Sequence, residues 1–446
     1  MEDVVIIGAG ATGLTAARQL ALAGRGVVVL EREPHVGGLA TSLRVDGFAL
    51  DFAGHRWVPK TRRVRDLLEV TLGSDLLHRV RSHVILINGR LFPHPLSLSE
   101  YIAALPAWQR WAVTGDALAH RAARRLQGPP ANFEQHILSQ FGRRVYRDYF
   151  GPHYLKATCT SPADLLPSYG ERFVGSGGEE VLRAALGFRP APAPQRDFYY
   201  PRLGSGQFWE RIADEIRAHG GRIETAAEVT EVEPRLEGFI LSTATRTGSA
   251  KLACATLIST MPLPDLVLRL RPPAGEELAL VASRLRRLAL VLVYLLVRRS
   301  PFLPNDTVYV PRPDVLFSLV EDFSYLSGDM APPGSTAVMA LINTDAGSDV
   351  WAWKDDELVV RTRRDLEAVG FPVRDDELAA AHVRRVADAR ADPRHDSRGD
   401  IGRLLDFVAR LGIMSIGRQG TLTPLMSMDR AVEVAFDAVA ALGAAR

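Results

Sequence analysis

The sequence predicts an α/β fold in which two domains are interleaved, and three observations predict it. A strand, a glycine turn and a helix open the chain, a second strand ends in an acidic residue, and this strand-rich pattern resumes only after a long helical middle. Val4-Val5-Ile6-Ile7 is an apolar β-branched run of the kind buried on both faces of a sheet, and Gly8-x-Gly10-x-x-Gly13 follows at once. Gly8 permits a tight turn, Gly10 allows close backbone approach, and Gly13 lets the helix beginning near Ala11 and Thr12 pack on the strand. The free N–H groups at that helix N-terminus favour negative charge, so the unit reads as a Rossmann-type cradle for a pyrophosphate. Val27–Leu30 is the second strand. Glu31 at its end is placed to accept hydrogen bonds from a ribose and disfavours a 2′-phosphate.

Length and composition allow two domains with substantial cores: 446 residues, 47% hydrophobic and 24% charged. The net charge of +2 rests on scattered arginines, with lysine only at 60, 156, 251 and 354. No basic stripe interleaved with aromatics appears, so no nucleic-acid partner is expected. Cys159 and Cys254 match neither a metal spacing nor a disulfide framework; no metal is expected, and a reducing, cytoplasmic compartment fits. Met1-Glu2-Asp3 leads straight into the first strand without a signal-peptide pattern. The longest apolar stretch, Leu288 to Val297, has the length of a buried strand, not of a transmembrane span. An apolar surface patch that seats on a membrane leaves no such signal. Oligomeric state is left open.

Along the chain, Asp46-Gly47 marks a turn between two short alternating segments, and the Gly54-His55 loop leaves the second. A helix is expected from Arg62 to Leu77 and a hairpin from Val84 to Phe92 about Asn88-Gly89. Residues 96 to 150 read as helical, broken at Pro129-Pro130, and Arg189 to Gln195 as a Pro/Ala-rich loop. Gln207 to Ala218 is an amphipathic helix ended by Gly220-Gly221. Strands follow at 222–224, 228–232, 240–244 and 251–255, the last leading into a buried strand, Thr256 to Met261, stopped by Pro262. Further strands are expected near 289–297, 315–320 and 336–343, and Arg394 to Asp400 as charged and irregular. In the tail, Ile413 to Ile416 is a strand and Gly417-Arg418-Gln419-Gly420 a turn, after which Ser427 caps a last helix from about Arg430 to Leu442. The expected domains are therefore 1–70, 200–262 and 401–446 for the nucleotide, and 71–199 with 263–400 for substrate. The helical part of the second is 96–190 and its mixed sheet 263–400.

A second glycine signature, Gly37-Gly38-Leu39-Ala40-Thr41, resembles the turn that flavoproteins of the glutathione-reductase-like and amine-oxidase-like type place against FAD. Phe150-x-x-x-Tyr154-x-Lys156-Ala157, with Arg172-Phe173 downstream, is similar to a segment of the protoporphyrinogen-oxidase-like FAD enzymes. So are Tyr200-Pro201-Arg202-x-Gly204-x-Gly206 and the closing Gly417-Arg418…Met428-Asp429. That group includes amine oxidases, carotenoid-type desaturases and, more distantly, UDP-galactopyranose-mutase-like enzymes. The resemblance implies bound FAD, an amine-oxidase-like pair of domains (a Rossmann-type FAD domain interleaved with an α+β substrate domain) and a flavin at their interface.

Carried over residue by residue, the resemblance puts Gly8, Gly10, Ala11, Thr12 and Gly13 at the pyrophosphate, Glu31 and Arg32 at the adenosine ribose, and Gly37 to Thr41 at the middle of FAD. Val229 meets the adenine and Thr260 the adenosine half, while Gly417, Arg418, Met428 and Asp429 meet the ribityl and flavin. Gly54-His55-Arg56 resembles a loop that runs past the flavin ring, making His55 and Arg56 the candidate catalytic residues. Two departures matter. No lysine occurs between 252 and 353, where many amine oxidases supply one to hold a water at the flavin, and Ser427 replaces the family's asparagine.

These features imply an FAD-dependent oxidase or dehydrogenase acting on a small or medium-sized metabolite by desaturation or by amine or alcohol oxidation. His55 has the side chain to take a proton near neutral pH; Arg56 is suited to an anion or to an ion pair with Asp51. The alternative is a redox-neutral mutase or isomerase of a sugar nucleotide or polyene, with Arg284, Arg286 and Arg287 as candidates for a diphosphate.

Overall fold

The strand expected at Val4 begins at Glu2 and runs to Ile7, inside a seven-stranded sheet. Parallel neighbours flank it, Val27–Leu30 on one side and Gly248–Ser259 on the other. Alternation sends Val4 and Ile6 into one core and Val5 and Ile7 into another, which is why four consecutive apolar residues are needed. Helices Ala11–Leu22, Gly206–Ala218 and Met428–Ala444 cover the first face through Leu14, Trp209 and Val432. The other face is covered by Leu263, Leu266 and Leu404. Strands Ala227–Arg235 and Gly238–Thr245 extend the sheet as an antiparallel meander, and Met414–Ser415 joins in parallel near its end. This computed structural model describes residues 1–446 apart from 171–177, 189–196, 392–393, 395–396, 425 and 445–446. The expected Arg189–Gln195 loop and Arg172-Phe173 therefore lie outside the described residues.

A second seven-stranded sheet runs, in spatial order, Leu378–Ala391, Arg287–Val297, Thr336–Thr344, Leu319–Asp322, Thr307–Tyr309, His83–Ile87 and Arg90–Pro93. Arg287–Val297 is apolar on both faces for the same reason as the first strand. Val291, Val293 and Leu295 enter one core; Leu290, Leu292 and Tyr294 enter another. The expected hairpin at 84–92 forms, and pairs in parallel with Thr307–Tyr309 at the sheet's edge. Segments of the two sheets alternate along the chain.

Helices Leu98–Ala103, Ala107–Gln127, Phe133–Val145, Gly151–Thr158 and Gly178–Ala185 build a lobe around Phe133, Phe141, Tyr149 and Phe150. Asn132 caps the third of these, its Oδ1 accepting from the Gln135 N–H at 2.9 Å. Lys156 fastens the lobe to the second sheet: its Nζ donates to the carbonyls of Val310, Arg312 and Phe317 at 2.9, 2.9 and 2.6 Å. Among the described residues, no helix is long and apolar enough to cross a membrane.

Four expectations need correction, and one strand had no sequence signal. The strand placed at 315–320 starts at Leu319, because the Leu316 N–H is taken by the Asp365 carboxylate at 2.6 Å instead of by a strand partner. Leu378–Ala391, rich in Ala and Arg, is a 14-residue strand that its composition hides; pairing with Arg287–Val297 overrides the propensity. Ser397, inside the segment expected to be irregular, begins a helix to Arg410. Gly417–Gly420 is one helical turn, and the expected helix from Arg62 stops at Leu72 before Gly73, whose φ is +53°.

A Cβ at Gly13 would overlap the Gly8 carbonyl oxygen. Gly13→Val is therefore expected to cost more than about 3 kcal/mol or to prevent folding. Denaturant titration checks this, and an unchanged midpoint would mean that helix and strand separate freely.

Candidate active site

Sixteen of the expected residues meet in one cleft of about 690 Å³: Gly8, Gly10, Ala11, Thr12, Glu31, Arg32, Gly37, Gly38, Leu39, Ala40, His55, Val229, Thr260, Gly417, Arg418 and Met428. Gly13, Thr41, Gly54, Arg56 and Asp429 are not on its wall. Gly13 packs beneath on Gly8, and Thr41 and Asp429 are buried. Sequence reasoning missed Phe52, Met261, Trp351, Arg384, Arg385 and Asp388, which also line the cleft. Three of these belong to the strand that composition concealed.

The cradle is made of backbone. Gly8 has φ +100°, and a Cβ there would overlap the Thr260 hydroxyl, which itself donates to the Ile7 carbonyl at 2.8 Å. Gly10 is the N-cap of helix Ala11–Leu22 and makes no side-chain cap, which leaves the first-turn N–H groups for an anion. A Cβ on Gly10 meets nothing within 4 Å, so the space beside it, on the wall of the cleft, is open. Glu31 Oε2 accepts from the Ala9 N–H at 2.7 Å and Oε1 from the Glu33 N–H at 2.9 Å; the carboxylate is fixed and retains lone pairs for a ribose. These features fit FAD: the helix terminus and Gly10 for the pyrophosphate, Glu31 for the ribose, Val229 for the adenine.

His55 reaches the cleft from a tight loop in which Ala53 has φ +76°. Its Nδ1 lies 2.9 Å from the Ala53 carbonyl, which can only accept, so Nδ1 carries the proton and Nε2 is unprotonated. Burial, then the nearby Arg418 and Arg56, lowers His55 to about 4, so the ring is neutral at pH 7. Arg418 is itself lowered to about 10 by burial and by Arg390, yet it keeps its charge at neutral pH. Its guanidinium donates to the Ala389 carbonyl at 3.1 Å.

Arg56 is turned away from the cleft, correcting its assignment as a catalytic residue. It pairs with Glu321 at 2.7 Å and Asp306 at 3.7 Å, and donates to the Thr307 hydroxyl at 3.0 Å. Burial disfavours its charge, but Glu321 and Asp306 outweigh that and hold it above the ordinary arginine value. Asp51, the partner expected for Arg56, instead accepts from Ser42, from the Tyr200 hydroxyl and from the Ser205 N–H. Glu321 also accepts from the Gly54 N–H at 2.7 Å, so the ion pair shapes the loop that carries His55. Arg286 and Arg287 are committed too, Arg286 to Asp345 at 2.7 Å and Arg287 to Asp265 and Asp388 at 2.8 and 3.1 Å. Arg284 is exposed at the end of a short helix.

A model of the flavin containing amine oxidoreductases matches residues 11–389, and the chain belongs to that family. Carotenoid 3,4-desaturase of Haloarcula japonica is 48% identical over 277 residues, 54% of this chain and 52% of that protein. Putrescine oxidase of Kocuria rosea is 43% identical over 80 residues, 18% of this chain and 16% of that one. The chain thus spans about half or less of the length of these curated relatives. Among solved structures, reduced UDP-galactopyranose mutase superposes with a TM-score of 0.88 at 20% identity, over 100% of this chain and 94% of that one. A redesigned putrescine oxidase gives 0.65 at 17% identity, over 100% and 99%. These two likenesses show the fold. The cofactor of the family is a flavin, and the residues that line the cleft fit FAD.

Gly10→Val is expected to stay folded, with the melting temperature of the native protein stripped of FAD, and to lose FAD, as read from the visible spectrum after purification. Normal flavin content in that variant would contradict the cradle. Glu321→Ala leaves Arg56 buried with only the more distant Asp306, and a loss of about 3 kcal/mol or more is expected in chemical denaturation.

Proposed function

We propose that the protein is an FAD-dependent oxidoreductase that removes a hydride from a small or medium-sized metabolite, by desaturation or by oxidation of an amine or alcohol. The observation that carries the reading is the meeting of both glycine signatures, Glu31, His55 and Gly417-Arg418 in one cleft of a chain from the flavin amine oxidoreductase family. When bound, FAD supplies the hydride acceptor at its N5.

The chain's own residues do the rest. The helix N-terminus at Gly10 holds the pyrophosphate, and Glu31 orients the ribose. With FAD bound, Arg418 would offer a buried positive charge to the negative charge that hydride transfer puts on the flavin. His55, neutral with Nε2 unprotonated, accepts a proton from a substrate hydroxyl or ammonium. The commitment of Arg286 and Arg287 to carboxylates argues against the diphosphate pocket that a sugar-nucleotide mutase needs there. Two free cysteines agree with a reducing, cytoplasmic setting.

The test is an anaerobic visible spectrum recorded before and after addition of candidate metabolites. Bleaching of the flavin bands without added reductant is expected; turnover that appears only after dithionite reduction would replace this reading with the redox-neutral one. His55→Gln should keep FAD and slow bleaching by about 100-fold. Because the active form of His55 is the neutral one and its value lies at about 4, its contribution is lost as pH falls through that value and is flat above it. A bleaching rate unchanged in His55→Gln would remove this residue from the mechanism.

A further inference from the structure

The helical lobe carries an apolar face that its own core does not use. On helix Ala107–Gln127, Val113 and Ala117 point into the lobe, while Trp108 and Trp111, on the opposite side, are 72% and 52% exposed. On helix Gly178–Ala185 and just beyond it, Val181 and Ala184 are buried, while Leu182, Leu186 and Phe188 stand in solvent. The two groups adjoin: the Arg110 guanidinium, between the two indoles in sequence, reaches Gly187, between Leu186 and Phe188. Single exposed hydrophobics are ordinary on a protein surface, but five large ones brought together by two helices are not.

Two arginines beside the indoles carry positive charge without a carboxylate partner among the described residues, while the acidic Glu179 and Glu180 lie at the far end of the second helix. Arg90, beside the exposed Leu91, donates to the Ala104 carbonyl, and Arg110 Nε donates to the Leu105 carbonyl at 2.8 Å. Among the described residues, neither arginine meets a carboxylate. Arg183 lies over the Phe188 ring at 5.4 Å and approaches Glu179 only to 4.0 Å. Indoles that keep an N–H in water while burying a ring, next to guanidiniums without counter-charges, suit the headgroup layer of a membrane rich in anionic phosphates.

We propose that this face, formed by Trp108, Trp111, Leu182, Leu186 and Phe188 with Arg90 and Arg110, seats the protein on an anionic lipid surface. Attachment is peripheral: rings and leucines enter to headgroup depth, and the arginines meet lipid phosphates. The face is separate from the cleft, since none of these residues lines it.

The test is flotation of the full-length, FAD-loaded protein with vesicles of phosphatidylglycerol and phosphatidylcholine, against vesicles of phosphatidylcholine alone. The protein is expected to float with the anionic vesicles, more weakly at high salt, with a blue shift of tryptophan emission. Trp108→Ser/Trp111→Ser should weaken binding at least about tenfold, the loss of roughly 1.4 kcal/mol. Its melting temperature and flavin content should not change, because both side chains are exposed. Arg90→Gln/Arg110→Gln should lower the preference for anionic vesicles. Failure of the native protein to float would overturn the proposal, as would a tryptophan variant that floats equally well. Concentration-dependent self-association abolished by the tryptophan substitutions would assign the face to a second copy of the chain and overturn it too.

Discussion

The approach of the first helix to the first strand is the constraint on which the rest of the cleft depends. Gly13 lies against the Gly8 carbonyl with no room for a side chain, so the helix N-terminus sits at the end of the strand and its N–H groups face outward together. Other segments take their places from that corner. Thr260, at the end of the neighbouring strand, donates to the Ile7 carbonyl at 2.8 Å. Gly417, with φ +80°, fits against Thr12 where a Cβ would not. Segments some 250 and 400 residues along the chain are thereby brought to the same few ångströms of backbone.

A buried ion pair sets the other wall. Glu321, on the second sheet, binds both Arg56 and the Gly54 N–H, and so the loop carrying His55 takes its shape from a strand far away in sequence. Such a pair is weak evidence for stability, because desolvation of two charges offsets much of their attraction. Its contribution is geometric. With the loop clamped, Ala53 holds an unfavourable backbone conformation and turns its carbonyl to His55 Nδ1, which fixes the tautomer of the ring.

What could be read in the sequence follows from which features are local. Val4 to Gly13, Glu31 and Gly37-Gly38 sit at fixed offsets within a single strand–turn–helix–strand unit, where spacing alone dictates geometry. The two-faced strand Arg287–Val297 was legible because burial on both sides requires an uninterrupted apolar run. Leu378–Ala391 was not, since an edge strand next to polar cleft surface has no such requirement, and Arg384, Arg385 and Asp388 were missed with it. Arg56 illustrates the same limit at one residue. Its partners Asp306 and Glu321 lie about 250 residues away, and only tertiary structure shows that they, and not a ligand or Asp51, claim the guanidinium.

The electrostatics of the cleft explain how one histidine and one arginine divide their roles. Burial disfavours charge on both His55 and Arg418; Arg418 adds to the effect on His55, and Arg390 to that on Arg418. Arginine starts so far above neutral pH that a shift to about 10 leaves it fully charged, whereas the same kind of environment takes histidine to about 4 and leaves it neutral. The outcome is a fixed cation beside an uncharged acceptor. Were Arg418 replaced by a neutral residue, His55 would lose a repulsive neighbour and rise somewhat, while burial, the larger cause, would still hold it below its ordinary value. Burial thus keeps the histidine uncharged and the neighbouring cation adds to that, while the charge on Arg418 does not depend on the histidine.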